Sequence, residues 1–143
     1  MDERQKIVDV VTRLFVGTDR RDWESVKNCF ERHVLFDMTS LTGGQATTLT
    51  PQQIADGWDA GLEPIKHVHH QAGNFIIDVK GTSAHAFCYA IAYHYRETKS
   101  GRNTRAFVGS YDFDLRKHGE EWRIGTFKFN LKFIDGNPQL EQD

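Results

Sequence analysis

From Ile65 to Gly136 the chain reads as four long strands, broken by the turn signals Lys80-Gly81, Ser100-Gly101 and His118-Gly119. Connections this short join antiparallel neighbours. The strands are irregular as well as long. Residues two apart share a strand face, so Val68, His70 and Ala72 point one way. After Gly73 the bulky positions Phe75, Ile77 and Val79 fall in the opposite phase. A bulge at Gly73-Asn74 accounts for the slip. The last strand slips too, from Trp122 and Ile124 to Phe127, Phe129, Leu131 and Phe133, which places a second bulge near Gly125-Thr126. Bulges bend a sheet. A sheet so bent must curl around something.

Three helical patterns precede it. In about Asp2 to Thr18, Ile7, Val8, Val10, Val11, Leu14 and Phe15 recur at three- and four-residue steps and form one apolar stripe. Asp19 prolongs the line Val8–Val11–Phe15, either as a polar helix end or as a placed carboxylate. Asp22, with Ser25 three residues on, caps a second helix through Trp23, Val26 and Phe30. His33 to Met38 reads as a short strand, and Thr39 to Thr50 as a Gly/Thr loop long enough for a flap or a disordered segment. Thr50, Pro51 and Gln53 spell a capping box opening a third helix with Ile54, Trp58 and Leu62, which stops before Pro64. The tail after Gly136 is polar and expected to fray. The expected architecture is α+β: one domain over 1–143, its curved antiparallel sheet wrapped as a cone around N-terminal helices, with an apolar pocket inside.

The chain is long enough to bury about two-thirds of its unfolded surface. Its net charge of −2 gives no electrostatic case for nucleic acid or an anionic membrane. No apolar run approaches membrane length, and Met1 to Gln5 is too polar for a signal peptide, so a cytoplasmic protein is expected. Cys29 and Cys88 have neither metal-ligand spacing nor a disulfide framework. His67 and His69 share a strand face without a third ligand, so no metal site is expected. No Gly-rich phosphate loop or Ser nucleophile elbow appears. Two histidines stand apart from the rest. His70 heads its strand in the inward phase, and His94 ends a face made of Ala84, Ala86, Cys88, Ala90 and Ala92. That small-residue face either lets another element pack close or leaves room for a ligand.

The order helix, Asp19-Arg20-Arg21-Asp22-Trp23, short strand, helix, His70-x-x-x-Asn74 and long strands resembles the NTF2-like superfamily, in particular its SnoaL-like and scytalone dehydratase branch. The likeness runs over about residues 5 to 136. It implies the cystatin-like cone and a catalytic Asp at Asp19, a catalytic histidine at His70 and, at His94, a second histidine paired with the Asp. A carboxylate that orients an imidazole and stabilises the imidazolium makes a general base worth roughly 10²–10⁴-fold. The carbonyl-polarising tyrosines of the dehydratases are missing: their positions hold Thr18 and Met38, and the Ser and Asn of the third strand fall near Gly109 and Tyr111. Scytalone itself is therefore not the expected substrate. Asn74, Tyr89, Tyr111, Trp23 and Met38 are the candidate substrate contacts, although Asn74 reads equally as a bulge residue and Tyr111 as core.

The function implied is a cofactor-independent lyase or isomerase acting on a small, largely apolar or aromatic, oxygenated ring compound. The alternative is a non-catalytic ligand-binding or assembly module, like the β-subunits of ring-hydroxylating oxygenases. Phe87, Tyr89, Ile91, Tyr93 and Tyr95 face away from the Ala/His94 side. A stripe that large implies a homo-oligomer, dimer or trimer, formed through it.

Overall fold

The computed structural model describes residues 1–143. Helix α1 (Glu3–Asp19) is capped by the Asp2 side chain, which accepts from Gln5 N–H. Its stripe of Ile7, Val10, Val11, Leu14 and Phe15 is buried, and the helix lies against strands β3 and β6. After it come α2 (Trp23–Lys27), β1 (Phe30–Asp37), α3 (Thr39–Thr42), β2 (Thr47–Leu49) and α4 (Pro51–Leu62). The long strands are β3 (His67–Lys80), β4 (Ser83–Tyr95), β5 (Thr104–His118) and β6 (Glu121–Gly136). The capping box of α4 forms as its residues require, with Thr50 Oγ accepting from Gln53 N–H and Gln53 Oε1 from Thr50 N–H.

All six strands join one sheet in the order β2-β1-β6-β5-β4-β3. The four long strands are antiparallel, but β1 runs parallel to β6 because the connection carrying α4 and the long strands returns the chain to its side. Register shifts fall between Gly73 and Ile76 and between Asp114 and Leu115 opposite Gly125, where the phase slips require them. A third, opposite Lys132, separates the Val108 and Gly109 pairings. Here Gly109 has no room for a side chain, since a Cβ would stand 2.1 Å from Asn130 O.

Two segments are more ordered than their composition suggests. Thr39 to Thr50 is no free flap. Ser40 Oγ donates to Phe129 O (2.8 Å) and accepts from Leu131 N–H (2.9 Å), pinning α3 to β6, while β2 pairs with β1. Nor does the tail fray. Gly136, at φ 88°, turns the chain so tightly that a Cβ would sit 2.4 Å from Thr104 O. Asn137 then donates through its backbone to Thr104 O and through its side chain to Arg102 O. Leu140, in a final 3₁₀ turn (Leu140–Gln142), is fully buried against Ile65 and Val68. No helix is long and apolar enough to cross a membrane.

Candidate active site

Asp19 is the last residue of α1. A carboxylate there faces the negative end of the helix dipole and gains nothing from it. What holds it is the turn behind and the strand ahead. Asp22 N–H reaches back to Gly17 O (2.8 Å) and Arg21 N–H to Thr18 O (3.1 Å), a Schellman stop with Arg21 at φ 55° where glycine is usual. Left-handed backbone costs a non-glycine residue roughly 1–2 kcal/mol. The Arg21 guanidinium offsets this by donating to Leu62 O (3.0 Å) and Ile65 O, which ties the helix stop to the joint between α4 and β3.

That joint delivers His70. Strand β3 lies at the sheet edge, and the backbone N–H of His70 donates to Asp19 Oδ2 at 2.9 Å. The ring Nδ1 meets Asp19 Oδ1 at 2.6 Å, the short distance of a charge-assisted bond. Since a carboxylate only accepts, Nδ1 carries the hydrogen and Nε2 keeps its lone pair. Phe15 stacks on the ring at 4.9 Å and 13°. The side chains of His70 and Asp19 are 11% and 16% exposed, so the pair is shielded from bulk water.

Both His70 and His94 line a cavity of about 180 Å³ whose walls are mostly rings: Phe15, Trp58, Phe107, Tyr111, Phe127 and Phe129. In the β3–β4 register His70 lies opposite Ala92, two residues from His94, so the histidines are diagonal neighbours about 7–8 Å apart at the backbone. The pairing of His94 differs from that implied by the family resemblance. Its Nδ1 faces Arg105 Nη2 at 2.9 Å, and Asp19 belongs to His70 alone. Burial first, then the Arg105 charge and then His70, lower the His94 pKa to about 4. Tyr111 also lines the cavity, and burial holds its hydroxyl protonated well above the usual tyrosine range.

Of the candidate contacts, Tyr111 and Met38 reach the cavity and three do not. Asn74 takes φ 55° at the bulge, exposed, and serves the turn in phase. Tyr89 stands on the outer sheet face beneath the Lys132 ammonium, 4.0 Å from the ring centre. Trp23 donates from Nε1 to Asp59 at 3.1 Å, joining α2 to α4. Sequence reading missed Arg105 and Glu141, which are ion-paired beside His94. It also missed Trp58, Phe107, Phe127 and Phe129 as walls, though their apolar phases were plain. Of the five small residues on β4, Ala84, Ala86, Cys88 and Ala90 pack in the core and Ala92 lines the cavity. No three His, Cys, Asp or Glu side chains gather as metal ligands, and both cysteines are unpaired.

A curved sheet closed over a helix, with a carboxylate–imidazole pair beside its apolar hollow, defines an NTF2-like, cystatin-like cone. The SnoaL-like domain matches residues 1–128, and the chain belongs to that family. No curated protein sequence matches it. Among solved structures, a protein from Kribbella flavida is similar over 99% of this chain and 97% of its own, with a TM-score of 0.92 and 17% identity. A provisionally named aromatic ring hydroxylase from Novosphingobium aromaticivorans follows at TM-score 0.82 and 20% identity, covering 98% and 96%. A provisionally named scytalone dehydratase from the same species has TM-score 0.78 and 15% identity, covering 94% and 87%. At such identities the likeness is one of fold.

Proposed function

We propose that this chain is a cofactor-independent lyase or isomerase that takes a proton from carbon on a small oxygenated ring compound. The observation that carries this reading is His70, fixed by Asp19 at Nδ1 and by Phe15 at its face, with its lone-pair nitrogen in an apolar cavity. An imidazole so held needs no reorientation to act as a base, and its carboxylate partner stabilises the imidazolium formed. Size restricts the substrate. A dry cavity of about 150 Å³ holds one benzene-sized molecule, so this one suits a single six-membered ring with few substituents. The dehydratase-named neighbour supports elimination as the outcome.

The test is a screen of cyclic hydroxy-ketones and related dehydration substrates with wild type and His70→Ala in parallel, in D₂O, following exchange of the acidic C–H by NMR. Wild type should exchange or eliminate, and the variant should not. A second reading, a non-catalytic binding or assembly module, draws on the ring hydroxylase-named neighbour and on the outer face of the sheet, where Tyr89 and Tyr93 stand half exposed. Under that reading ligands bind, nothing exchanges, and His70→Ala leaves partner affinity intact.

A further inference from the structure

Proton abstraction leaves negative charge on the substrate, and the base cannot stabilise it. Another group lining the same cavity must. Arg105 is a buried cation on β5, its side chain 8% exposed, and both of its terminal nitrogens are engaged. Nη1 donates to Glu141 Oε2 at 2.9 Å, Nη2 donates to Glu141 Oε1, and Nη2 also meets His94 Nδ1 at 2.9 Å. Its Nε is buried without a partner, so its orientation rests on the terminal bonds and on the Phe107 ring, 4.9 Å from Cζ. A guanidinium can only donate. His94 Nδ1 must therefore accept, and the ring hydrogen sits on Nε2. The two histidines thus hold opposite tautomers: His70 offers a lone pair at Nε2, His94 an N–H.

We propose that His94 is the catalytic hydrogen-bond donor of this site, steadying through Nε2–H the substrate oxygen that gains negative charge, and that Arg105 and Glu141 are its positioning residues. This rests on the reading of His70 as base. The proton passes from substrate carbon to His70 Nε2, and the C–H electron pair moves into the new double bond. In an isomerisation the carbonyl oxygen takes up the displaced pair, His94 holds the oxyanion, and the imidazolium of His70 returns the proton to another carbon as the carbonyl re-forms. In a dehydration the C–O bond breaks with its pair on oxygen, and the imidazolium of His70 returns the proton to give water. His94 keeps its proton throughout. The groups around it are Arg105 from β5, Glu141 from the C-terminal turn, His70 from β3 and Asp19 from α1. Burial and the two cationic or potentially cationic neighbours outweigh the two carboxylates and keep the ring neutral, a better arrangement for donation without proton loss. The C-terminal turn is thereby part of the site, although none of its residues lines the cavity.

The experiment labels histidine with ¹⁵N and reads the His94 tautomer in the intact chain. Wild type should show neutral Nε2–H from pH 5 to 8. Glu141→Gln, at a half-exposed position that should not disturb folding, should mix the tautomers, and Glu141→Asp should partly restore the single one. Ligand binding then probes the donor without turnover. 4-Nitrophenolate should shift the His94 Nε2–H resonance and bind Glu141→Gln about ten-fold more weakly, whereas nitrobenzene should bind both proteins alike. Where a substrate is known, the same variant should lose about ten-fold in kcat with KM little changed, and His94→Phe about 10²-fold, the usual loss for one aimed donor. A wild-type His94 that carries Nδ1–H or titrates near its ordinary pKa overturns the proposal. So does a phenolate that binds Glu141→Gln as well as wild type. Turnover lost in His70→Ala but untouched in Glu141→Gln and His94→Phe would remove the donor and leave the base standing. Absent turnover with the phenolate result intact would do the reverse.

Discussion

Asp19→Asn is the sharpest perturbation the site allows, because shape is kept and one acceptor becomes a donor. The carboxylate serves two N–H groups of the same residue, at 2.9 Å and 2.6 Å. An amide has one oxygen for them. If that oxygen serves the ring, the amide NH₂ opposes the His70 backbone N–H, leaving a shielded donor unsatisfied at about 1–3 kcal/mol. If it serves the backbone, NH₂ donates to Nδ1 and the ring hydrogen moves to Nε2, so the lone pair in the cavity disappears. The second arrangement should dominate by roughly ten-fold. The lost carboxylate adds to this, since a charge pair about 4 Å apart near a protein surface is worth of the order of 4 kcal/mol. Together these give a fall in kcat/KM of about 10³–10⁴-fold, comparable with the roughly 10⁴-fold known for the tautomer-reversing Asp-to-Asn change in serine proteases. Histidine-labelled NMR should show His70 switching from Nδ1–H to Nε2–H, with stability in urea reduced by roughly 1–2 kcal/mol as two bonds to a charged acceptor become neutral ones. Activity within ten-fold of wild type, or a His70 that keeps Nδ1–H, would refute the reasoning.

Three further outcomes are expected. The His94 pKa is lowered from 6.5 to about 4 on folding, so the unfolded chain binds the extra proton first as pH falls. Stability from this group is whole above about pH 6.5 and declines towards pH 4, by up to about 3 kcal/mol, and urea midpoints of wild type and His94→Gln should converge across that window. Arg21→Ala keeps the left-handed strain and loses the bonds to Leu62 and Ile65, whereas Arg21→Gly relieves the strain; the Gly variant should be the more stable by about 1 kcal/mol in thermal melts. Tyr93 and Phe133 on the outer sheet face are 50% and 54% exposed, and light scattering at micromolar concentration should find a dimer or trimer that Tyr93→Glu dissociates; a wild-type monomer would exclude that interface.

The parts of the fold legible in the sequence are those where local chemistry decides. Capping residues, the apolar stripe of α1 and the phase slips at Gly73 and Gly125 each act within a few residues, and each falls where expected. The phase argument that turned His70 inward holds for the same reason, since alternation admits two faces and Val68 and Ala72 choose between them. The resemblance singled out Asp19 but paired it with His94, and in the structure its bond goes to His70 instead. Composition misled at the tail, where polar residues concealed one fully buried leucine and a chain of specific hydrogen bonds. It misled again at Tyr89 and Asn74, whose chemistry suits a site but whose strand phase faces outward.

What could not be read is which nitrogen of each histidine is free. That property belongs to the partner, and the two partners lie at opposite distances in the chain. Asp19 is 51 residues from His70, and Arg105 is 11 from His94 but is itself oriented by Glu141, 36 residues further on. Each partner binds an Nδ1, one as an obligate acceptor and one as an obligate donor, so identical side chains in one cavity take opposite tautomers. Exchange Asp19 for a cation and the site holds two donors; exchange Arg105 for a carboxylate and it holds two bases, with the cavity walls unchanged. On the proposed mechanism the chemistry of this cone is therefore set by charges that do not line the cavity. The histidines only transmit it.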